Sequence, residues 1–401
     1  MIKSSCLPPA APGQEIGGKM DFFLNDDELM IQEVVRNFAQ SELKPNAAIL
    51  DKEHRMDLGN LKKMADLGFM GMNISETYGG AEVGVLPYSL GMIEVARACA
   101  ATAVTMSVTN MVAEVICAFG NEEQKQKYVP RICSGEYSAG AFGLTESMAG
   151  SDPGGMKMTA VKEGDNYRLN GSKIFITSAE YAGVFVVWAV TDKEASRSQR
   201  ISAFLVEKGT PGFTVSKAEE KMGQCGSSTN EIVFEECLIP AGNLLGEEGF
   251  GLKIGFMALD GGRIGIASLA LGIGLEAIDY ASEYAKEREQ FGRPIATFQG
   301  LQWRFADTYT ELEAARLLVM QAAFLKQQKK PFTTQASMAK LYASEAANRA
   351  CYQAVQVLGG NGYTAEYPVE RLYRDVRVTT IYEGTSEIQR LVIAQQILGR
   401  L

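Results

Sequence analysis

Val184-Phe185-Val186-Val187-Trp188-Ala189-Val190 is an unbroken apolar run, rich in β-branched and aromatic side chains, and it reads as a β-strand. Shorter runs of the same kind precede it: Val161, Tyr167–Leu169 and Ile174-Phe175-Ile176. They are broken by Glu163-Gly164-Asp165-Asn166 and by Asn170-Gly171. Ile201–Val206 and Ile232–Phe234 follow it. Short strands at this spacing, with no long helix between them, predict a small antiparallel β-domain over 136–248.

Outward from that block the period changes to helical on both sides. Towards the N-terminus, Asn25-Asp26-Asp27-Glu28 places a cap and acids before Leu29, Ile31, Val34, Val35 and Phe38. Further helices are expected around 60–68, 87–99, 102–118 and 121–132, with Pro130 near the end of the last. Towards the C-terminus, Leu301, Phe305, Tyr309, Leu312, Ala315 and Val319 form one stripe. Ala347, Ala350, Cys351, Ala354 and Leu358 form a second, whose small side chains allow close helix approach. The order α, β, α predicts an α+β chain with a helical domain over 20–135, the β-domain, and a four-helix bundle over 249–401. Residues 1–19 read as a leader or extension.

Composition narrows the chemistry. The 401 residues are 46% hydrophobic and 22% charged, as in an ordinary globular protein of two or three units. A net charge of −9 opposes nucleic acid and anionic membranes, so an anionic ligand needs local donors. No apolar run of the sequence approaches the roughly 20 residues of a membrane span. Cys6, Cys99, Cys117, Cys133, Cys225, Cys237 and Cys351 show no metal-ligand spacing and read as thiols of a reducing compartment. The single histidine, His54, lies in the charged run Asp51–Arg55 and reads as exposed. Carboxylates are therefore the natural proton-transfer groups.

Four segments could carry chemistry. Phe142–Gly155 is dense in glycines and hydroxyls, which suits either a closely approached ligand or a turn-rich domain junction. Gln356-Val357-Leu358-Gly359-Gly360-Asn361-Gly362 runs a helix into glycines, as a C-cap or as a phosphate contact. No GxGxxG follows a strand, which argues against a Rossmann site. Asp260-Gly261-Gly262-Arg263 interrupts an apolar helix; its arginine could pair with an acid or reach an anion. In Thr379–Glu387, Glu383 is flanked by apolar residues and glycine, and by itself reads as a surface or capping residue.

Together these segments resemble the acyl-CoA dehydrogenase family. Gly143-Leu144-Thr145-Glu146 with Gly150-Ser151-Asp152 matches one family signature, and Gln356 with Gly359-Gly360 and Gly362 matches the other, continuing through Glu366, Arg371 and Asp375. Tyr382-Glu383-Gly384-Thr385-Ser386-Glu387-Ile388-Gln389-Arg390 is similar to the family's setting of the catalytic base. The likeness spans about residues 20–401 and is nearest in flavour to the short-chain (butyryl-CoA) type. It implies FAD as cofactor. Phe142, Leu144 and Thr145, with Phe175, Ile176 and Thr177, would flank the isoalloxazine, and Thr385 and Glu387 would complete its contacts. Arg288, Gln290, Gln299, Gln356, Val357, Gly359 and Gly360 match residues that a neighbouring subunit lends to the FAD of a homotetramer. Ser151, Asp260, Arg263 and Gly384 would meet substrate, and no metal is implied.

The implied reaction is removal of a thioester α-proton by Glu383 and loss of the β-hydrogen as hydride to the flavin, giving a trans-2-enoyl-CoA. The carbonyl oxygen would be held by the base's own N–H and a flavin hydroxyl, and electrons would pass to electron-transferring flavoprotein. Relatives that carry the base on the long helix place a glutamate where this chain has Gly262. The pocket floor would come from a helix over Val95–Val112, where Arg97 is the only charge and Ala103 stands where glutaryl-CoA relatives carry arginine. That disfavours a dicarboxylic substrate and leaves short- or medium-chain acyl groups. Cys225 departs from the arginine many relatives carry, and Asn230 sits in an unusual context. The competing readings are an oxygen-using oxidase on the same scaffold and a flavin-binding protein without turnover. The implied location is the cytoplasm of a bacterium, or the mitochondrial matrix in a eukaryote.

Overall fold

The computed structural model describes residues 24–399, so the expected extension over 1–19 and Cys6 lie outside the described residues. The chain starts on α1 (Asp26–Phe38), capped as its sequence requires: Asn25 Oδ1 accepts from Glu28 N, and Glu28 Oε2 accepts from Asn25 N, both at 2.9 Å. Five helices follow: α2 (Ala47–Glu53), α3 (Leu58–Asp66), α4 (Val85–Ala98), α5 (Ala100–Phe119) and α6 (Glu122–Cys133). Helix α2 ends on exposed His54 in the left-handed region at φ 52°. Pro130 lies inside the last turn and a half of α6. The floor helix expected over Val95–Val112 is two helices, because Cys99 is extended and separates α4 from α5.

The strands are β1 (Ala139–Gly143), β2 (Thr159–Glu163), β3 (Asn166–Thr177), β4 (Ala182–Val190), β5 (Ile201–Glu207), β6 (Phe213–Ala218), β7 (Thr229–Pro240) and β8 (Leu244–Leu245). They form one sheet in the order β6-β7-β3-β2-β4-β5-β8, with β1 added beside β4. The sheet is not purely antiparallel: β1 runs parallel to β4, and β2 meets β4 in a single parallel pair. Strand β1 consists of small residues plus Phe142, and a side chain at Gly140 would meet Val112 of α5 at 2.7 Å. The strand thus wedges between sheet and helix, a contact without a sequence period. Asn170-Gly171, expected to end a strand, is instead a bulge within β3, where Gly171 adopts φ 136° against Met158.

After the sheet comes α7 (Gly251–Glu287), then the short pair β9 (Glu289–Gln290) and β10 (Arg293–Pro294). Helices α8 (Gln299–Gln327), α9 (Thr333–Leu358), α10 (Pro368–Val376) and α11 (Ser386–Leu398) complete the chain. Helix α7 is the axis of the molecule, packed by α4, α5, α8, α9 and α10. Its glycines allow this: a Cβ at Gly272 would meet the Ile93 carbonyl at 2.4 Å, and one at Gly274 would meet Ala347 at 3.0 Å. Helices α5 and α7 are long and apolar enough to cross a membrane by composition, contrary to the sequence expectation. Both are mostly buried inside the protein, which accounts for their apolarity.

Candidate active site

The turn Ile381–Gly384 joins a 3₁₀ segment, Arg377–Thr380, to α11. Glu383 (φ 53°) and Gly384 (φ 86°) are both left-handed, a conformation a glutamate adopts only when its surroundings hold it. Two side chains hold it. Gln389 Nε2 donates to the carbonyls of Glu383 at 3.1 Å and Gly384 at 2.9 Å, and Lys340 Nζ donates to that of Gly384 at 2.7 Å. Thr385 caps α11 by accepting from Ile388 N at 3.3 Å, and Glu387 is exposed in its first turn.

The Glu383 carboxylate points at α7. A Cβ on Gly262 would lie 2.8 Å from its Oε2 and 2.9 Å from Met111 Sδ, so glycine is what leaves room for it. Oε2 is buried without a hydrogen-bond partner. Burial raises the carboxyl to about 7, against the opposing pull of the Arg263 and Lys340 charges. Arg263 is itself buried and bonds Asp260 Oδ1 at 2.5 Å and Ser337 Oγ at 3.2 Å, while Asp260 also accepts from Thr333 at 2.6 Å. The arginine therefore pairs with an acid at the edge of the site and acts on Glu383 through its field. One turn on, the space beside Gly265 is filled by Tyr88 Oη and Ser107 Oγ, 2.7 and 2.6 Å from where its Cβ would be.

Phe142, Leu144 and Thr145 leave the end of β1, and Phe175, Ile176 and Thr177 close β3. The two segments are neighbours: Ile174 N donates to Thr145 O at 2.9 Å. A buried ion pair sets them, with Lys173 Nζ 2.8 Å from Glu146 Oε1 and 3.3 Å from Leu144 O. Glu146 also accepts from Lys157 N and Met158 N, at 2.6 and 3.0 Å. Burial lowers the Lys173 ammonium to about 8 despite that partner. Phe175 is left-handed (φ 58°) and 63% exposed, so its ring is turned out of the core. Ser151 is exposed on the loop after β1. Phe142 packs on Trp188 at 4.4 Å, and Trp188 Nε1 donates to Gly251 O at 2.7 Å, which fixes this rim at the N-terminal end of α7.

The remaining expected cofactor residues lie elsewhere. Arg288, Gln290 and Gln299 are exposed just beyond the C-terminal end of α7. Gln356, Gly359 and Gly360 are exposed and Val357 buried at the end of α9, where Asn361 Nδ2 donates to Tyr284 Oη at 2.8 Å. Beside them is an open groove of about 380 Å³ lined by Phe298, Gly300, Leu301, Arg304 and Gln356. At 1.5 Å per residue, Gly251 and Arg288 are roughly 55 Å apart along the helix. Within one chain the expected site is thus two clusters at opposite ends of α7.

An apolar rim with hydroxyls at Thr145 and Thr177, an outward aromatic at Phe175 and a buried unpartnered carboxylate oxygen fit a flavin beside a substrate. Arg97 is engaged by Asp279 at 2.6 Å and Glu276 at 3.4 Å, away from the carboxylate. Cys225 is buried over Lys221 O, its thiol pushed up to about 11 by burial and by Asp51. Asn230 Nδ2 donates to Ser216 O at 2.9 Å within the sheet. Sequence reasoning missed Lys340 and Tyr88; their only signal is a polar group within an otherwise apolar or small-residue helical stripe.

Known proteins agree with this geometry. The N-terminal, middle and C-terminal domain families of acyl-CoA dehydrogenases match residues 25–136, 141–237 and 248–398. A short-chain specific acyl-CoA dehydrogenase of Clostridium acetobutylicum is 48% identical over 379 residues, 94% of this chain and all of that one. The butyryl-CoA dehydrogenase of Megasphaera elsdenii superposes with a TM-score of 0.92 at 44% identity, covering 94% of this chain and 100% of that one. A chain of a structure described as the electron transferring flavoprotein of Acidaminococcus fermentans superposes at 0.93 with 47% identity, covering 95% and 100%. Matching domain families along nearly all of the described length, and identity near one half, place the chain in the acyl-CoA dehydrogenase family.

Proposed function

We propose that the chain is an FAD-dependent acyl-CoA dehydrogenase in which Glu383 is the base, acting on a short- or medium-chain saturated acyl-CoA to give the trans-2-enoyl-CoA. The observation that carries the reading is the buried, unpartnered Glu383 Oε2, held on a left-handed turn against the bare backbone of Gly262. The enzyme is an oxidoreductase of acyl-CoA and FAD is its cofactor. When bound, FAD supplies the two-electron acceptor for the hydride that leaves the β-carbon.

The chain's own residues do the rest. Glu383 takes the α-proton onto Oε2. Its proton affinity, raised to about 7, makes it a better base than an exposed glutamate while leaving a substantial ionised fraction near neutral pH. The backbone N–H of Glu383 polarises the thioester carbonyl, the role of an oxyanion-hole donor, which is worth about 3–4 kcal/mol for a single group. Phe142, Leu144, Thr145, Phe175, Ile176 and Thr177 would hold the isoalloxazine, and Thr385 and Glu387 would add further flavin contacts. Ser151, Gly384 and the Asp260–Arg263 pair border the acyl-CoA. Tyr88 and Ser107, closing the space beside Gly265, support a short acyl group.

The separation of the two clusters along α7 supports an assembly in which Arg288, Gln290, Gln299 and Gln356–Gly360 of one copy serve the FAD of another, as in a homotetramer. Domain limits at 135/136 and 248/249 accompany this reading. The likeness to the Acidaminococcus chain supports an electron-transferring flavoprotein as acceptor. The mostly buried free thiols support a reducing compartment, the cytoplasm for a bacterial enzyme or the mitochondrial matrix for a eukaryotic one. The test is anaerobic titration of the FAD-loaded protein and its Glu383→Gln variant with straight and branched acyl-CoAs. The parent flavin should bleach with short or medium chains, and the variant should bind them without bleaching. Bleaching of the variant at the parent rate would remove Glu383 from its role.

A further inference from the structure

Lys340, on α9, is fully buried. A buried ammonium ordinarily sits against a carboxylate, because an unpaired charge inside a protein is costly. Among the described residues no carboxylate lies within ion-pair distance of Lys340, and its bond at 2.7 Å goes to the Gly384 carbonyl. That carbonyl belongs to the left-handed turn carrying Glu383, and the Glu383 carboxylate is the acid whose field Lys340 feels most. The other charged groups around it are accounted for. Arg263 of α7 is matched by Asp260, and Glu345 of α9 by Arg390 at 2.7 Å. Glu387 of α11 is exposed. The hydroxyls of Tyr88 on α4 and Tyr382 in the same turn feel the Glu383 charge and are kept neutral by burial, and Met111 of α5 brings its thioether to the same Gly262 face.

We propose that Lys340 is a positioning residue for the base: it fixes the Glu383–Gly384 turn through the Gly384 carbonyl, and its charge holds the Glu383 carboxylate ionised within apolar walls. The proposal rests on the reading of Glu383 as the base. The two roles separate by substitution. Lys340→Met removes donor and charge, Lys340→Gln removes the charge and keeps a donor, and Lys340→Arg keeps the charge. Loss of a nearby positive charge raises a carboxyl's pKa, so the acid limb of activity moves to higher pH.

The experiment uses the FAD-loaded enzyme with a short-chain acyl-CoA and an artificial electron acceptor. It measures kcat/KM against pH, and separately titrates the Glu383 carboxyl by NMR of carboxyl-labelled glutamate. The Glu383→Gln variant assigns the signal. The Met and Gln variants are expected to shift both midpoints up by about one pH unit, roughly a tenfold loss of kcat/KM well below the midpoint. The Arg variant should keep both midpoints close to the parent's, and the Gln variant should keep more turnover at high pH than the Met variant. Met and Gln variants that retain FAD with an unshifted Glu383 titration would overturn the proposal. Should the Met variant fail to fold, the Gln variant's titration decides. Full activity of Glu383→Gln would defeat the base assignment instead, while the carboxyl titration would still report whether Lys340 acts on that group.

Discussion

Glu383 is a residue whose meaning changes with its surroundings. Isolated in sequence it reads as a surface acid; folded, one oxygen is sealed and unpartnered and the carboxyl is raised to about 7. The pH dependence follows from the direction of that shift. Turnover needs the carboxylate, so kcat/KM of the free enzyme should fall as pH drops through about 7, measured against a substrate that does not titrate there. Stability runs the other way. A carboxyl whose folded pKa lies above its unfolded value contributes stability below about 4.5, and loses it as pH rises through about 7. The Glu383→Gln holoenzyme should therefore melt above the parent at pH 8, with the difference shrinking towards pH 5. Nothing local distinguishes Glu383 from Glu387 four residues on, which is exposed; only the resemblance across three segments singled it out.

At the scale of elements, α7 shows why an apolar helix was needed and why its glycines fall where they do. Its apolar, helical character was legible in the sequence, and so was the break in side-chain bulk at Gly261-Gly262. What each glycine faces was not, because helix partners come from α4, α5 and α9, distant in sequence. A methyl at Gly262 would press on two flexible chain ends, Glu383 Oε2 and Met111 Sδ, not on backbone. Gly262→Ala should consequently leave the melting temperature within a few degrees of the parent while displacing the base. Misplacement of a reacting group by even 1 Å costs on the order of 100-fold. A fall of kcat by tenfold or more, with FAD retained, is the expected reading; parent-like kcat would mean the carboxylate does not work against this face. The β-domain offers the converse lesson. The strands of Val184–Val190 and its neighbours were legible from residue type, yet β1 was not, because small residues wedged against α5 carry no β signature.

The whole molecule is tied across its helical and β parts by α10. Arg374 bonds Asp51 of α2 at 2.7 Å, Glu370 at 2.8 Å and the Met222 carbonyl of the β-domain at 3.3 Å. Beside it, Gln224 of the same loop donates through its backbone to buried Asp375 and through its side chain to Tyr382 Oη at 3.2 Å. The seam therefore ends one residue from the base. Arg374→Ala removes several charge-assisted bonds at once, each worth about 1.5–3 kcal/mol. It should lower the melting temperature by several degrees, and a parent-like melt would show the seam to be solvent-screened decoration. The sequence by itself determined the α, β, α order, the capped start at Asn25, the two helical stripes, and the motif residues that resemble the family, since these depend on local period and residue type. Tertiary structure alone decided that the half-buried Glu383 has one oxygen sealed without a partner, that Gly262 makes room for it, that Arg263 is paired with Asp260 and that Lys340 stands behind the turn. Each of those depends on side chains far apart in the chain meeting around one helix.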